Sequence, residues 1–280
     1  MAAPIETYIP YILTFVFGSI IGSFLNVCVY RMPRGLSVVA PRSACPSCGA
    51  RLGAAELIPI ASYILLRGKC SHCRSRIPPR YPLIEFLCGA LWAALLYRFG
   101  KAARPSGSLP LEFPPFEFIC YAALCSVLLA VFFIDVEWLR IPNALTAASM
   151  VPASAALVRY VFLLDPPGRF RSAYASVNPA APFLGLAPCA FFIAVYLITA
   201  VFSKGGGAAI GMGDIKLLIP VGLALGLWQC LFAIFAAVTL GGVAGIVLIA
   251  SGVKKRKDPI PFGPFIVAGF IAALFIRINT

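Results

Sequence analysis

Two aspartates stand where apolar runs end: Asp135 in VFFIDVEWLRIPN and Asp214 in KGGGAAIGMGDIKLLIP. A carboxylate at the edge of hydrocarbon is costly and is a functional hypothesis by default. Two carboxylates a few ångströms apart cannot both ionise cheaply, so one keeps its proton while the other accepts a proton from a bound water. Such a pair titrates as a unit. The water can attack a peptide carbonyl, and the neutral acid then protonates the developing oxyanion or the leaving amine. The bland account is a hydrated acid at a helix end. It suits Asp214, because the dipole favours an acid near a helix N-terminus, but not Asp135, which ends a helix where the dipole opposes it. Glu137 lies two residues on, cannot share the helix face of Asp135, and reads as interfacial. The five glycines before Asp214 let backbone approach a substrate strand and adopt conformations that other residues avoid.

A second chemistry lies in the cysteines. Of ten, four form CPSC (Cys45, Cys48) and CSHC (Cys70, Cys73), with 21 residues between the pairs. Two C-x2-C elements at that separation point to a tetrahedral, all-thiolate zinc site. Four protein ligands leave no open position, so the metal is structural and His72, inside the second spacer, is not a ligand. Disulfide or redox use is the alternative. The other six cysteines, Cys28, Cys88 and Cys230 among them, read as small apolar residues within helices.

What must position these groups is a bundle of apolar helices. The 280 residues are 61% hydrophobic and 12% charged, against roughly half and about a quarter in soluble domains. Runs long enough to span a bilayer recur along the chain. The expected fold is an all-α polytopic membrane protein of about eight transmembrane helices with a small zinc-binding cytoplasmic loop domain. The spans are placed at 9–30, 82–99, 116–136, 143–164, 181–202, 214–230, 231–252 and 260–279. The domains follow: 1–30 as a first transmembrane helix, 31–81 as the zinc loop, and 82–280 as a membrane-embedded peptidase. The first span follows a short acidic head and meets no small-residue cleavage site, so it is expected to be retained, with GSIIGSFLN as a packing surface.

The net charge of +13 comes from 23 Lys and Arg against 10 Asp and Glu. Most of the basic residues lie in short loops, where they set orientation. Membrane lipid, and not nucleic acid, is therefore the expected surroundings. With the N-terminus outside, sixteen of the 23 fall on the cytoplasmic side, including KKRK at 254–257. That topology brings Asp135 and Asp214 to the same, cytoplasmic, edge. Of the remaining polar residues, Asn26 is expected to bond between helices. Glu85 is expected to hydrate or to pair with Arg80. PFGPF at 261–265 reads equally as a helix start and as a substrate contact.

The stretches GSFLNVCVYRMPRG, CPSCGARL…ELIPIASYILLRGKCSHC, PRYPLIEFLCG, DVEWLRIPNALT, GMGDIKLL and PFGPFIVAG occur in this order over almost the whole chain. In them the chain resembles the bacterial type IV prepilin peptidases, bifunctional leader peptidases and N-methyltransferases of the inner membrane. The resemblance implies that Asp135 and Asp214 are the catalytic pair and cut a short basic leader at the cytoplasmic face. It implies prepilins or secretion-system pseudopilins as substrates, and S-adenosylmethionine as methyl donor to the new N-terminus. Two positions depart from the family pattern: Ala208 and Leu36 stand where members commonly carry an acid.

Rival classes make different demands. A presenilin-like intramembrane aspartyl protease without methyltransferase activity would hold its acids deeper than EWLR and KGGG allow. A transporter would place paired acids midway along broken helices. A membrane thiol oxidoreductase would need an exposed, reactive C-x2-C.

Overall fold

The structure, a computed structural model, describes residues 8–100, 116–162, 184–202, 211–255 and 258–276. Among these residues the fold is all-helical, with only two isolated β-bridges, Ala44 to Arg51 and Lys69 to Arg76. The helices are α1 (Ile9–Arg31), α2 (Ala61–Leu65), α3 (Arg80–Gly100), α4 (Phe116–Trp138), α5 (Asn143–Phe162), α6 (Ala187–Phe202), α7 (Met212–Leu225), α8 (Leu227–Ala250) and α9 (Gly263–Phe275). The chain forms two compact units, Met1–Ala130 and Val131–Thr280, with the boundary inside α4.

Every expected span has a helix in its place, but their lengths differ. Among the described residues, four helices are long and apolar enough to cross a membrane: Ile9–Arg34, Arg80–Phe99, Phe116–Trp138 and Leu227–Ala250. α7 has 14 residues and α9 has 13. At 1.5 Å per residue each is about 20 Å long, short of the ~30 Å hydrocarbon core. The exposed faces of the long helices carry Leu13, Phe17 and Phe24 on α1 and Phe235, Val243 and Ile246 on α8. This is an integral membrane protein.

In the first unit α1 packs on α3 through the glycines of GSIIG. A Cβ on Gly18 would stand 2.9 Å from the Cα of Gly89, and one on Gly22 would stand 2.7 Å from the Cα of Glu85. Small residues let the two backbones close, and dispersion then holds them. Asn26 makes the expected interhelical bond, its Nδ2 donating to the Tyr81 carbonyl at 3.0 Å. Glu85 does something different from the expectation. It is buried, and its Oε2 accepts the backbone N–H of Ile60 at 2.7 Å, so the acid ties the loop to α3. Ile60 needs the tie, because it sits at φ 62°, ψ −51°, a region costly for a β-branched residue.

In the second unit α8 packs on α9, and α7 on α5, α6 and α9. The break between α7 and α8 is at Gly226, the first residue of GLWQC, the stretch where the sequence places the break between the sixth and seventh spans. Gly226 has φ 74°, ψ −179°, a combination open essentially to glycine alone. All six helical cysteines are buried, as small apolar residues should be.

Candidate active site and metal centre

One corner of the second unit is built where four helices begin or end. α4 closes just past Asp135: the N–H of Leu139 donates to the Asp135 carbonyl at 2.9 Å, and Leu139 adopts the left-handed conformation at φ 52°. Pro142 then leads into α5. α7 starts after Gly211, which places Asp214 in its first turn. α9 starts at Gly263. Ile141, in the link between α4 and α5, is the shared wall. A Cβ on Gly213 would lie 3.3 Å from the Ile141 Cβ, and one on Gly263 would lie 3.3 Å from its Cδ1.

Asp135 is buried, with 5% of its surface exposed. Its Oδ2 accepts the backbone N–H of Gly263 at 3.0 Å. This bond removes the difficulty raised by its position at a helix C-terminus, because the carboxylate faces the N-terminal end of another helix. A hydrogen bond to a charged group is worth about 1.5–3 kcal/mol. There is no space for a side chain at the donor, since a Cβ on Gly263 would stand 2.7 Å from Oδ2. Asp214 follows Gly213, whose Cβ position faces the same Ile141 as that of Gly263, the donor to Asp135. Its own Oδ2 lies 3.0 Å from where a Cβ on Gly211 would stand.

The glycines of GMGD therefore supply space, and not unusual torsions. Gly211 has φ −66°, ψ 132°, and Gly213 lies within α7. The three glycines of KGGG lie outside the described residues, as does Ala208. At the rim, Lys216 Nζ donates to Asn143 Oδ1 at 3.1 Å and joins α7 to α5. Sequence reasoning did not assign Gly263, Ile141 or Asn143 to the site. All three lie in stretches that carry the family resemblance, Gly263 in PFGPFIVAG and Ile141 and Asn143 in DVEWLRIPNALT.

The metal centre belongs to the first unit. The four Sγ atoms of Cys45, Cys48, Cys70 and Cys73 lie within 4.8 Å of one another, with Cys45 to Cys73 at 3.9 Å. Zn–S bonds of ~2.3 Å in a tetrahedron place the sulfurs about 3.8 Å apart, so the donor set and its spacing fit zinc. Each pair is presented by the same turn. The Cys45 N–H donates to Ala50 and the Gly49 N–H back to Cys45, both at 2.9 Å. In the second turn Cys70 donates to Ser75 at 2.9 Å and Arg74 back to Cys70 at 3.0 Å. Gly49 has φ 71°, and Arg74 at the matching position has φ 60°.

The N–H of Cys48, ahead of other donors, holds the Cys45 thiol down at about 6, toward the thiolate that binds metal. His72 turns away to Ser71, with Nδ1 2.8 Å from the hydroxyl. Glu56 accepts from Ser71 and from the Gly53 N–H, and these two donors lower its pKa below the usual carboxylate value.

Sequence comparisons match both halves of this arrangement. The family model described as Bacterial Peptidase A24 N-terminal domain covers residues 16–99. The one described as Type IV leader peptidase family covers residues 122–246. A prepilin leader peptidase/N-methyltransferase of Burkholderia pseudomallei (strain 1026b) is 34% identical over 93% of this chain and 83% of its own. The chain belongs to the prepilin leader peptidase/N-methyltransferase family. Proteins of that name from Bacillus subtilis (strain 168) and Neisseria gonorrhoeae are 37% and 31% identical, over 93% and 92% of this chain and 92% and 88% of theirs. No solved structure matches. The family assignment does not favour the presenilin-like alternative, because the match takes in the N-terminal domain with its cysteine loop.

Proposed function

We propose that this protein removes the short basic leader of type IV prepilins or pseudopilins at the cytoplasmic face of the inner membrane, with Asp135 and Asp214 as the water-activating pair, and then methylates the new N-terminus. The observation that carries the reading is the corner itself. Gly213, next to Asp214, and Gly263, the donor to Asp135, face one wall, Ile141, so two acids far apart in sequence meet at one corner, and one of them is hydrogen-bonded to a helix start.

In this reading one carboxylate takes a proton from water as the oxygen attacks the scissile carbonyl, and the other donates its proton to that carbonyl oxygen. As the C–N bond breaks, the first acid returns its proton to the leaving amine. Lys216 and Asn143 sit at the rim, where substrate would pass. Zinc on Cys45, Cys48, Cys70 and Cys73 contributes folding energy to the loop 31–81 and takes no part in the chemistry.

Methyl transfer makes a separate demand. S-adenosylmethionine, as the second substrate, supplies the methyl group. The acceptor α-amino group has a pKa near ~8, so a useful fraction is already neutral, and alignment rather than a strong base is what the protein provides. Residues 22–33 and the zinc loop are the proposed place. The remaining domain of the reading, 82–280, is the membrane-embedded peptidase.

The test uses purified protein, a synthetic prepilin peptide and labelled methyl donor. Asp135→Asn or Asp214→Asn should reduce cleavage by roughly 10²–10⁴-fold, while a pre-cleaved peptide is still methylated. Full cleavage by either variant would refute the aspartyl reading, and loss of methylation by both folded variants would show one site in place of two.

A further inference from the structure

A symmetric pair of acids has no fixed base. The second unit supplies an asymmetry. We infer that the backbone N–H of Gly263 holds the pair's negative charge on Asp135, which makes Asp135 the base for water and leaves the shared proton on Asp214. The inference rests on the aspartyl reading above and assigns the roles within it.

The donors at the start of α9 decide where the charge sits. A helix leaves its first N–H groups without internal partners. Here Pro264 has none to offer, and the N–H groups of Phe265 and Ile266 both donate to the Phe262 carbonyl, at 3.0 and 3.2 Å. The N–H of Gly263 is the one left, and it goes to Asp135 Oδ2. The first turn of α7 is spent differently. There the N–H groups of Asp214 and Ile215 both donate to the Gly211 carbonyl, at 3.1 and 3.3 Å, and the Asp214 carboxylate accepts no hydrogen bond from a described residue. A charge shared between two acids settles on the one that holds a donor. Burial of Asp135 works against a charge there, and the N–H of Gly263 is what offsets it, because water cannot take its place.

The other charged groups do not reverse this. Lys216 on α7 is turned to Asn143 and makes no ion pair with a described carboxylate. Glu137 and Arg140 follow Asp135 on its own segment and are exposed. α9 carries no titratable side chain, and α5 carries none as far as Leu157.

The protons then balance over one turnover. Asp135 takes a proton from water, and Asp214 gives one to the carbonyl oxygen, which forms a neutral diol. As the C–N bond breaks, Asp135 protonates the amine and a diol hydroxyl returns its proton to Asp214. The resting charges are restored. Gly263 touches no reacting atom and acts through Asp135, so it is a positioning residue.

Two measurements on the full chain in lipid nanodiscs test this. The first is the pH profile of prepilin cleavage for wild type and Gly263→Ala, whose Cβ would displace the carboxylate. Loss of the donor should move the acidic limb of kcat/KM up by about one unit, a tenfold change in proton affinity, and leave the basic limb in place. A uniform fall at every pH, or movement of the basic limb alone, would overturn the inference. The second measurement does not depend on that variant folding: ¹³C titration of carboxyl-labelled aspartates in the wild type, with signals assigned through Asp135→Asn and Asp214→Asn. Asp135 should ionise first; ionisation of Asp214 first, or of both in parallel, sinks the assignment. If both Asp→Asn variants still cleave, the aspartyl reading itself has failed, which is a different result.

Discussion

At the scale of single residues, the corner depends on what glycines leave out. A methyl on Gly211 would press on the Asp214 carboxylate at 3.0 Å, and one on Gly213 would meet Ile141 instead of an acid, its Cβ at 3.3 Å and its Cγ1 and Cδ1 at 3.5 Å. The two substitutions should therefore part company. Gly211→Ala displaces the carboxylate proposed to react by a few tenths of an ångström and should cost roughly tenfold in kcat, in line with the sensitivity of catalysis to sub-ångström misplacement. Gly213→Ala lies within a helix, where alanine is better than glycine by ~1 kcal/mol, and should leave cleavage within about twofold, the tolerance ascribed here to Ile141. Steady-state cleavage of a synthetic prepilin separates them. Equal losses would mean that Ile141 cannot yield and that the corner is more rigid than these distances imply.

At the scale of elements, legibility followed the range of the interaction. Asp135, Asp214 and the four cysteines were readable because their signals are local: a charge against an apolar run, or ligands two residues apart. The link between Gly263 and Asp135 spans 128 positions, and a run of prolines and a glycine does not say where its N–H points. The turn at Gly226 is legible only to within GLWQC, because side chains on both sides are alike and only the backbone departs. Glu85 departs from its expected role for the opposite reason. Its charge suggested a cation or water, whereas its partner is a backbone N–H in a strained turn. That pairing makes a prediction. Glu85→Ala strands the Ile60 N–H and should destabilise the first unit by ~1–3 kcal/mol. Ile60→Gly removes strain of order 1–3 kcal/mol and should hold or raise the melting temperature. Thermal unfolding in detergent measures both, and a fall for Ile60→Gly as large as that for Glu85→Ala would mean that the turn carries no strain.

At the scale of the whole molecule, the chemistry is divided between the units. The acid corner lies entirely in Val131–Thr280 and the thiolate site entirely in Met1–Ala130. Protein purified without chelator should hold one zinc per chain by elemental analysis, and removing the metal should expose the loop between α1 and α3 to proteolysis. A pair of disulfides with no metal would replace the zinc reading. Cleavage by the metal-stripped protein should persist at a reduced level, since no step of hydrolysis passes through the thiolates; complete and irreversible loss would join the two functions.

The bond from Gly263 to Asp135 also bears on how the enzyme is made. Synthesis runs from the N-terminus, so α4, α5 and α7 are complete while the helix that supplies the donor has yet to be translated. Until then Asp135 lies at the end of its own helix with no partner for its charge, and the two acids can stand near each other without the asymmetry that separates acid from base. On the proposed assignment, a chain still lacking α9 has neither the donor to Asp135 nor the wall that this helix adds to the corner, and completing the helix supplies both. Chains ended at Pro261 should insert and retain Asp135 and Asp214, yet fail to cut a prepilin, and a co-expressed α9 segment should restore cutting.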